Sequence, residues 1–130
     1  MLVLFVEDDP MNRRVVRDML RVVGATMEEA EEADSGLRML AAKPYDMVLM
    51  DLRMPGMDGI TAIGRLRETS GPNQAAPVIV VTADMAPDLR TRCMAAGADE
   101  VIVKPVAMAA LLDAMARLAP REAEEDFVID

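Results

Sequence analysis

The sequence predicts an α/β domain in which a five-stranded parallel sheet carries helices on both faces. Two observations support this. Five short apolar runs alternate with five stretches of helical period along the 130 residues. Most of the runs are continuously apolar rather than alternating, as in strands covered on both sides.

In order, "LVLFV" (2–6) reads as a buried strand. "MNRRVVRDMLRVV" (11–23) reads as a helix with Met11, Val15, Val16, Met19, Leu20 and Val23 inward, and Arg13, Arg14, Arg17 and Arg21 outward. Asp9 suits its N-cap, because Pro10 favours the first helical position, and Gly24 stops it. "TMEEAE" (26–31) is the weakest strand, and Glu28, Glu29 and Glu31 mark it as an edge defended by charge. "DSGLRMLAA" (34–42) is a short helix capped by Asp34 or Ser35, with Pro44 just beyond.

"DMVLM" (46–50) is a second buried strand, followed by the loop "RMPGMDG". Asp58 then caps a helix over about 59–68. "GPNQAAP" is a turn, and "VIVVT" (78–82) a central strand. "APDLRTRCMAAG" (86–97) is a fourth helix ending at Gly97, "EVIV" (100–103) a fifth strand, and "VAMAALLDAMARLA" (106–119) a fifth helix. Residues 1–119 thus form one domain, and 120–130, "REAEEDFVID" after Pro120, an acidic tail or linker remnant.

Composition narrows the function. A chain with 52% apolar residues is not disordered, and thirteen Met with two Phe, one Tyr and no Trp imply an aliphatic core that Met fills. A formal charge of −9 argues against nucleic acid as a partner, since phosphates need a basic patch. The lone Cys93 excludes an internal disulfide and suits a reducing compartment, and the lack of His removes His–Cys zinc sites and Ser-His-Asp triads. "MLVLFV" is too short for a signal or membrane segment. A cytoplasmic location with no membrane contact is expected.

In open parallel sheets, ligands sit beyond the carboxyl ends of the strands. Strand one ends in Glu7 and Asp8, strand three at Asp51, strand four at Thr82, and strand five at Lys104-Pro105. Three carboxylates converging from two strands make a hard oxygen site suited to Mg²⁺, whereas Asp9 turns away as a cap. Asp51 precedes a loop, and a carboxylate beside a metal can attack a phosphoryl group. Lys104 lies within reach to neutralise charge there, and the residue before Pro is held extended. Thr82 offers a hydroxyl.

The motifs "VEDDP", "DMVLMDLRMPGMDG", "VIVVTA" and "VIVKP", in this order and spacing, resemble the receiver domains of two-component response regulators over about residues 2–119. The resemblance implies a flavodoxin-like sheet of strand order 2-1-3-4-5 with five flanking helices. It implies Asp51 as phosphoacceptor, Asp8 as direct Mg²⁺ ligand, Glu7 as holder of metal-bound water, and the Arg53 carbonyl as a further ligand. It also implies Thr82 as switch hydroxyl, Lys104 as the phosphate-binding ammonium, and a cis bond to Pro105. A histidine kinase or histidine phosphotransfer protein would donate at the first helix. A downstream protein would read the face made by helix four, strand five and helix five. Such a domain is a phosphoacceptor in signalling, not a turnover enzyme.

Two features depart from the usual pattern. Val101 stands where receivers often carry an aromatic switch residue. Arg53 and Asp84, each two residues past a site residue, carry opposite charges and are expected to pair across the site mouth as modulators. "DDPMNRRVV" and "RCMAAGADEVIVKP" resemble the receivers of hybrid kinases, so the expectation is a stand-alone regulator or a hybrid-kinase receiver. The competing readings are a non-phosphorylated interaction module, a flavin carrier and a haloacid-dehalogenase phosphatase. Acids in the first loop weigh against a flavin, and Arg53 stands where the phosphatase needs an Asp.

Overall fold

The computed structural model describes residues 1–119 of the chain. The acidic tail expected at 120–130 lies outside the described residues. Five parallel strands, β1 (Leu2–Val6), β2 (Thr26–Ala30), β3 (Met47–Asp51), β4 (Val78–Thr82) and β5 (Glu100–Val103), form one sheet of order β2-β1-β3-β4-β5. Five helices alternate with them: α1 (Pro10–Val22), α2 (Ala33–Ala42), α3 (Gly59–Glu68), α4 (Leu89–Ala96) and α5 (Met108–Leu118). The flavodoxin-like strand order expected from the motifs is the order observed.

Alternate strand residues feed two cores. Leu4, Val48, Met50 and Val80 pack with Leu40, Ile63, Leu66 and Cys93 from α2, α3 and α4. Phe5, Leu49, Ile79 and Val81 pack with Val16, Leu20, Leu111 and Met115 from α1 and α5. A sheet covered on both faces by apolar helices explains the continuous apolar runs of β1, β3 and β4. Burying a side chain the size of Leu or Phe contributes about 1.5–3 kcal/mol. The core is aliphatic as expected, but not every Met fills it: Met11, Met85 and Met94 are exposed.

The ends of the elements correct several expectations. The α2 N-cap is Glu32, without a side-chain cap bond, and Asp34 lies inside the first turn, where a carboxylate favours the helix dipole. Asp9 does cap α1, accepting from the Met11 N–H at 2.8 Å, with Pro10 at its first position. Asp58 caps α3 by accepting from the Thr61 N–H at 2.9 Å. Helix α4 begins only at Leu89 and ends at Gly97, whose φ of 117° is left-handed. Arg13, expected outward, is buried, while Met11 and Val15, expected inward, are exposed. Helical phase accounts for this: Arg13 lies three residues before Val16 and seven before Leu20, on the inward stripe. The turn "GPNQAAP" hides a buried hub as well. Asn73 accepts from the Tyr45 N–H and donates to the Leu40 and Lys43 carbonyls, each at 2.7 Å.

The β2 edge is charged as expected, and its acids are engaged. Glu28 takes Lys43 at 2.6 Å and the Tyr45 hydroxyl at 2.7 Å, and Glu29 takes Arg17 at 2.8 Å.

At the opposite edge, Glu100 on β5 joins three elements: Arg90 of α4 donates to one carboxylate oxygen, and Arg117 of α5 to the other at 3.1 Å. Burial opposes ionisation of Glu100, but the two guanidinium groups and the Val101 N–H outweigh it and hold its pKa at about 2. Because the folded value lies below the unfolded one, this stabilisation is complete above pH 4.5 and is lost as pH falls toward 2. Both arginines are more than half exposed, so screening reduces its worth. Glu100→Gln is expected to cost about 1–2 kcal/mol in urea unfolding at neutral pH and low salt. That gap from wild type should narrow steadily below pH 4.5.

Candidate phosphoacceptor site

The site sits where the strand order turns back on itself, at the carboxyl ends of β1 and β3. Carboxylate oxygens of Glu7, Asp8 and Asp51 lie within 4.8 Å of one another. Parallel pairing brings them there, with Val6 of β1 in register with Met50 of β3. Asp51 is the last residue of β3 and is 4% exposed, whereas Asp8 is open to solvent. Gly59, the first residue of α3, lets that helix approach the acid, since a Cβ there would stand 2.4 Å from the Asp51 carbonyl oxygen.

Lys104 follows β5, and its ammonium donates to Glu7 Oε1 at 2.7 Å and lies 3.6 Å from Asp51 Oδ1. Three carboxylates therefore face one ammonium. Glu7 is fully buried, and its second oxygen, Oε2, has no hydrogen-bond partner. Burial and the adjacent Asp51 carboxylate push the Glu7 pKa up, against the pull of Lys104. For Lys104, burial works against the charge, but the hydrogen bond to Glu7 and the charge of Asp51 prevail and its pKa is raised. A buried acceptor without a partner, beside an uncompensated set of hard oxygens, fits a hydrated divalent cation.

Thr82, the last residue of β4, is buried, and its Oγ1 accepts from the Asp84 N–H at 3.0 Å. The hydroxyl hydrogen is left free to point elsewhere. The Lys104–Pro105 bond is cis. Arg53 Nη2 lies 3.4 Å from Asp84 Oδ2, and the Arg53 N–H makes a long contact of 3.4 Å with Asp51 Oδ1. The Ala86 N–H and the Arg53 guanidinium keep the Asp84 carboxyl below its ordinary value. Val101 is half-buried and packs against the core beneath α4, with no ring. Fold and site together define a receiver-type signalling domain.

Similarity to known proteins agrees. The family model described as response regulator receiver domain matches residues 3–116, and the chain belongs to that family. It is 35% identical over 121 residues to the sensor histidine kinase RcsC of Salmonella typhi, covering 93% of this chain and 12% of RcsC. It is 37% identical over 121 residues to the sensory/regulatory protein RpfC of Xanthomonas campestris, covering 92% and 16%. It is 38% identical over 117 residues to the response regulator FleR of Pseudomonas aeruginosa, covering 90% and 24%. The chain thus spans a quarter or less of these relatives. Among solved structures, the receiver domain of the sensor histidine kinase PA1611 of Pseudomonas aeruginosa, with magnesium coordinated in its active-site cleft, superposes with a TM-score of 0.82. The two are 31% identical, and the match covers 90% of this chain and 95% of that one.

Proposed function

We propose that this chain accepts a phosphoryl group from a phosphohistidine onto Asp51, with Mg²⁺ bound, and that the modification alters how it binds a partner. The observation that carries the reading is the carboxylate triad facing a single lysine, with one buried Glu7 oxygen unpartnered. Asp8, Asp51 and the Arg53 carbonyl would hold the cation, and Glu7 its water. The bound ion would supply positive charge against the three carboxylates and the incoming phosphoryl oxygens.

The chain's own groups divide the remaining work. An Asp51 oxygen forms the bond to phosphorus while the donor's P–N bond breaks. The released electron pair returns to the imidazole nitrogen, which takes a proton from solvent. Lys104 needs only a short swing from Glu7 to meet a phosphoryl oxygen beside Asp51. Thr82 donates its free hydroxyl hydrogen to another, which draws the segment after β4 inward. With Val101 in place of a ring, that movement reaches the output side through backbone and aliphatic packing. The kinship with sensor kinases supports a histidine kinase or histidine phosphotransfer protein as donor. Its docking face on α1 combines exposed Met11, Val15 and Val22 with Arg14 and Arg21. Residues 1–119 would be the receiver proper, and the α4–β5–α5 face, with exposed Met85 and Val103, the output surface. No helix among the described residues is long and apolar enough to cross a membrane.

Incubation with acetyl phosphate and Mg²⁺ should add one phosphoryl group by intact mass, and Asp51→Asn or EDTA should remove the adduct. An unmodified wild type under these conditions would favour the non-phosphorylated interaction module. The Arg53–Asp84 pair at the site mouth should slow attack by water. Arg53→Ala and Asp84→Ala are each expected to shorten the aspartyl-phosphate lifetime, measured by decay of the mass adduct, and unchanged lifetimes in both would dismiss this role.

A further inference from the structure

Three charged side chains are buried among the described residues: Glu7, Asp51 and Arg13. The first two belong to the acid cluster, and Arg13 does not. A buried guanidinium is costly unless its donors are used. Arg13 Nη1 donates to the Glu7 carbonyl at 2.8 Å. Its other nitrogens face Glu29 and Glu31 on the β2 side at 3.7 Å, too far for hydrogen bonds. Glu29 is committed more closely to Arg17, at 2.8 Å. The short bond of Arg13 is therefore spent on the Glu7 backbone.

That carbonyl belongs to the peptide unit joining Glu7 to Asp8, the two acids at the end of β1. The Glu7 N–H is also held, donating to the Ala30 carbonyl of β2 at 2.9 Å. Both backbone polar groups of Glu7 are thus fixed, and with them the plane from which the Asp8 side chain departs. Asp8 itself is exposed.

We propose that Arg13 is a positioning residue for the cation: by clamping the Glu7 carbonyl it aims Asp8 at the ion. This rests on the Mg²⁺ reading above. Charge and geometry make opposite predictions. Removing a positive charge beside the site should tighten cation binding, whereas releasing the clamp should weaken it.

The test is a titration with Mg²⁺ alone, followed by NMR at the backbone amides of residues 8–9 and 51–53, in wild type, Arg13→Lys, Arg13→Met and Asp8→Ala. Arg13→Met is expected to bind Mg²⁺ about tenfold more weakly. Arg13→Lys, which keeps the charge and one donor, should fall between it and wild type. Affinity in Arg13→Met equal to or tighter than wild type would overturn the proposal. Should Arg13→Met not fold, Arg13→Lys decides alone: weaker binding than wild type upholds the clamp, and equal binding overturns it. Absent Mg²⁺ binding in wild type, or wild-type affinity in Asp8→Ala, would instead overturn the cation reading on which the proposal rests.

Discussion

Three carboxylates gathered against one lysine at the edge of an apolar sheet set the terms for the whole domain. Like charges this close disfavour joint ionisation, and burying Glu7 sharpens the conflict. The conflict is sustained because the sheet is rigid. β1 and β3 are adjacent parallel strands packed on both faces, so the two buried acids at their ends, Glu7 and Asp51, have little room to move apart. Lys104 offsets part of the repulsion, and on the proposed reading a divalent cation would offset the rest. A site that is electrostatically incomplete on its own is well matched to an anion that arrives with a metal.

The rest of the architecture serves that edge. Gly59 brings α3 against the Asp51 carbonyl, Thr82 closes β4 beside it, and Arg13 ties α1 to the end of β1. The opposite edge is built differently. There Glu100 ties α4, β5 and α5 together by ion pairs at the surface, and Val101 leaves no aromatic ring to swing. Both arginines of that clamp are more than half exposed, so its ion pairs are open to screening by salt, unlike the buried contacts of Glu7 and Asp51.

Much of this was legible in the sequence because buried parallel strands write themselves as short apolar runs. β1, β4 and β5 fall on the predicted residues, and the acids, Thr82 and Lys104 follow from which residue ends each run. The caps at Asp9 and Asp58 were legible for a local reason, since each bonds an N–H two or three residues on. What stayed hidden depends on contacts distant in the chain. By polarity Arg13 belongs to a basic stripe, whereas its phase with Val16 and Leu20 places it inward, and its burial follows the phase. Asn73 looked like turn filler because its partners, Leu40, Lys43 and Tyr45, are about thirty residues away. The α2 cap lies two or three residues before the one the sequence suggests, because Asp34 and Ser35 favour caps, yet the extended backbone stops at Glu32.

Of the three carboxylates, Asp51 alone is proposed to carry the phosphoryl group. Borohydride reduces an acyl phosphate to an alcohol and leaves a free carboxylate intact, so it marks the acceptor directly. After exposure to acetyl phosphate and Mg²⁺, borohydride treatment and peptide sequencing by tandem mass spectrometry should find homoserine at position 51, with Glu7 and Asp8 unaltered. Reduction at Asp8 or Glu7 instead, or at none of the three in protein shown to carry the phosphoryl adduct, would rule out Asp51 as the acceptor.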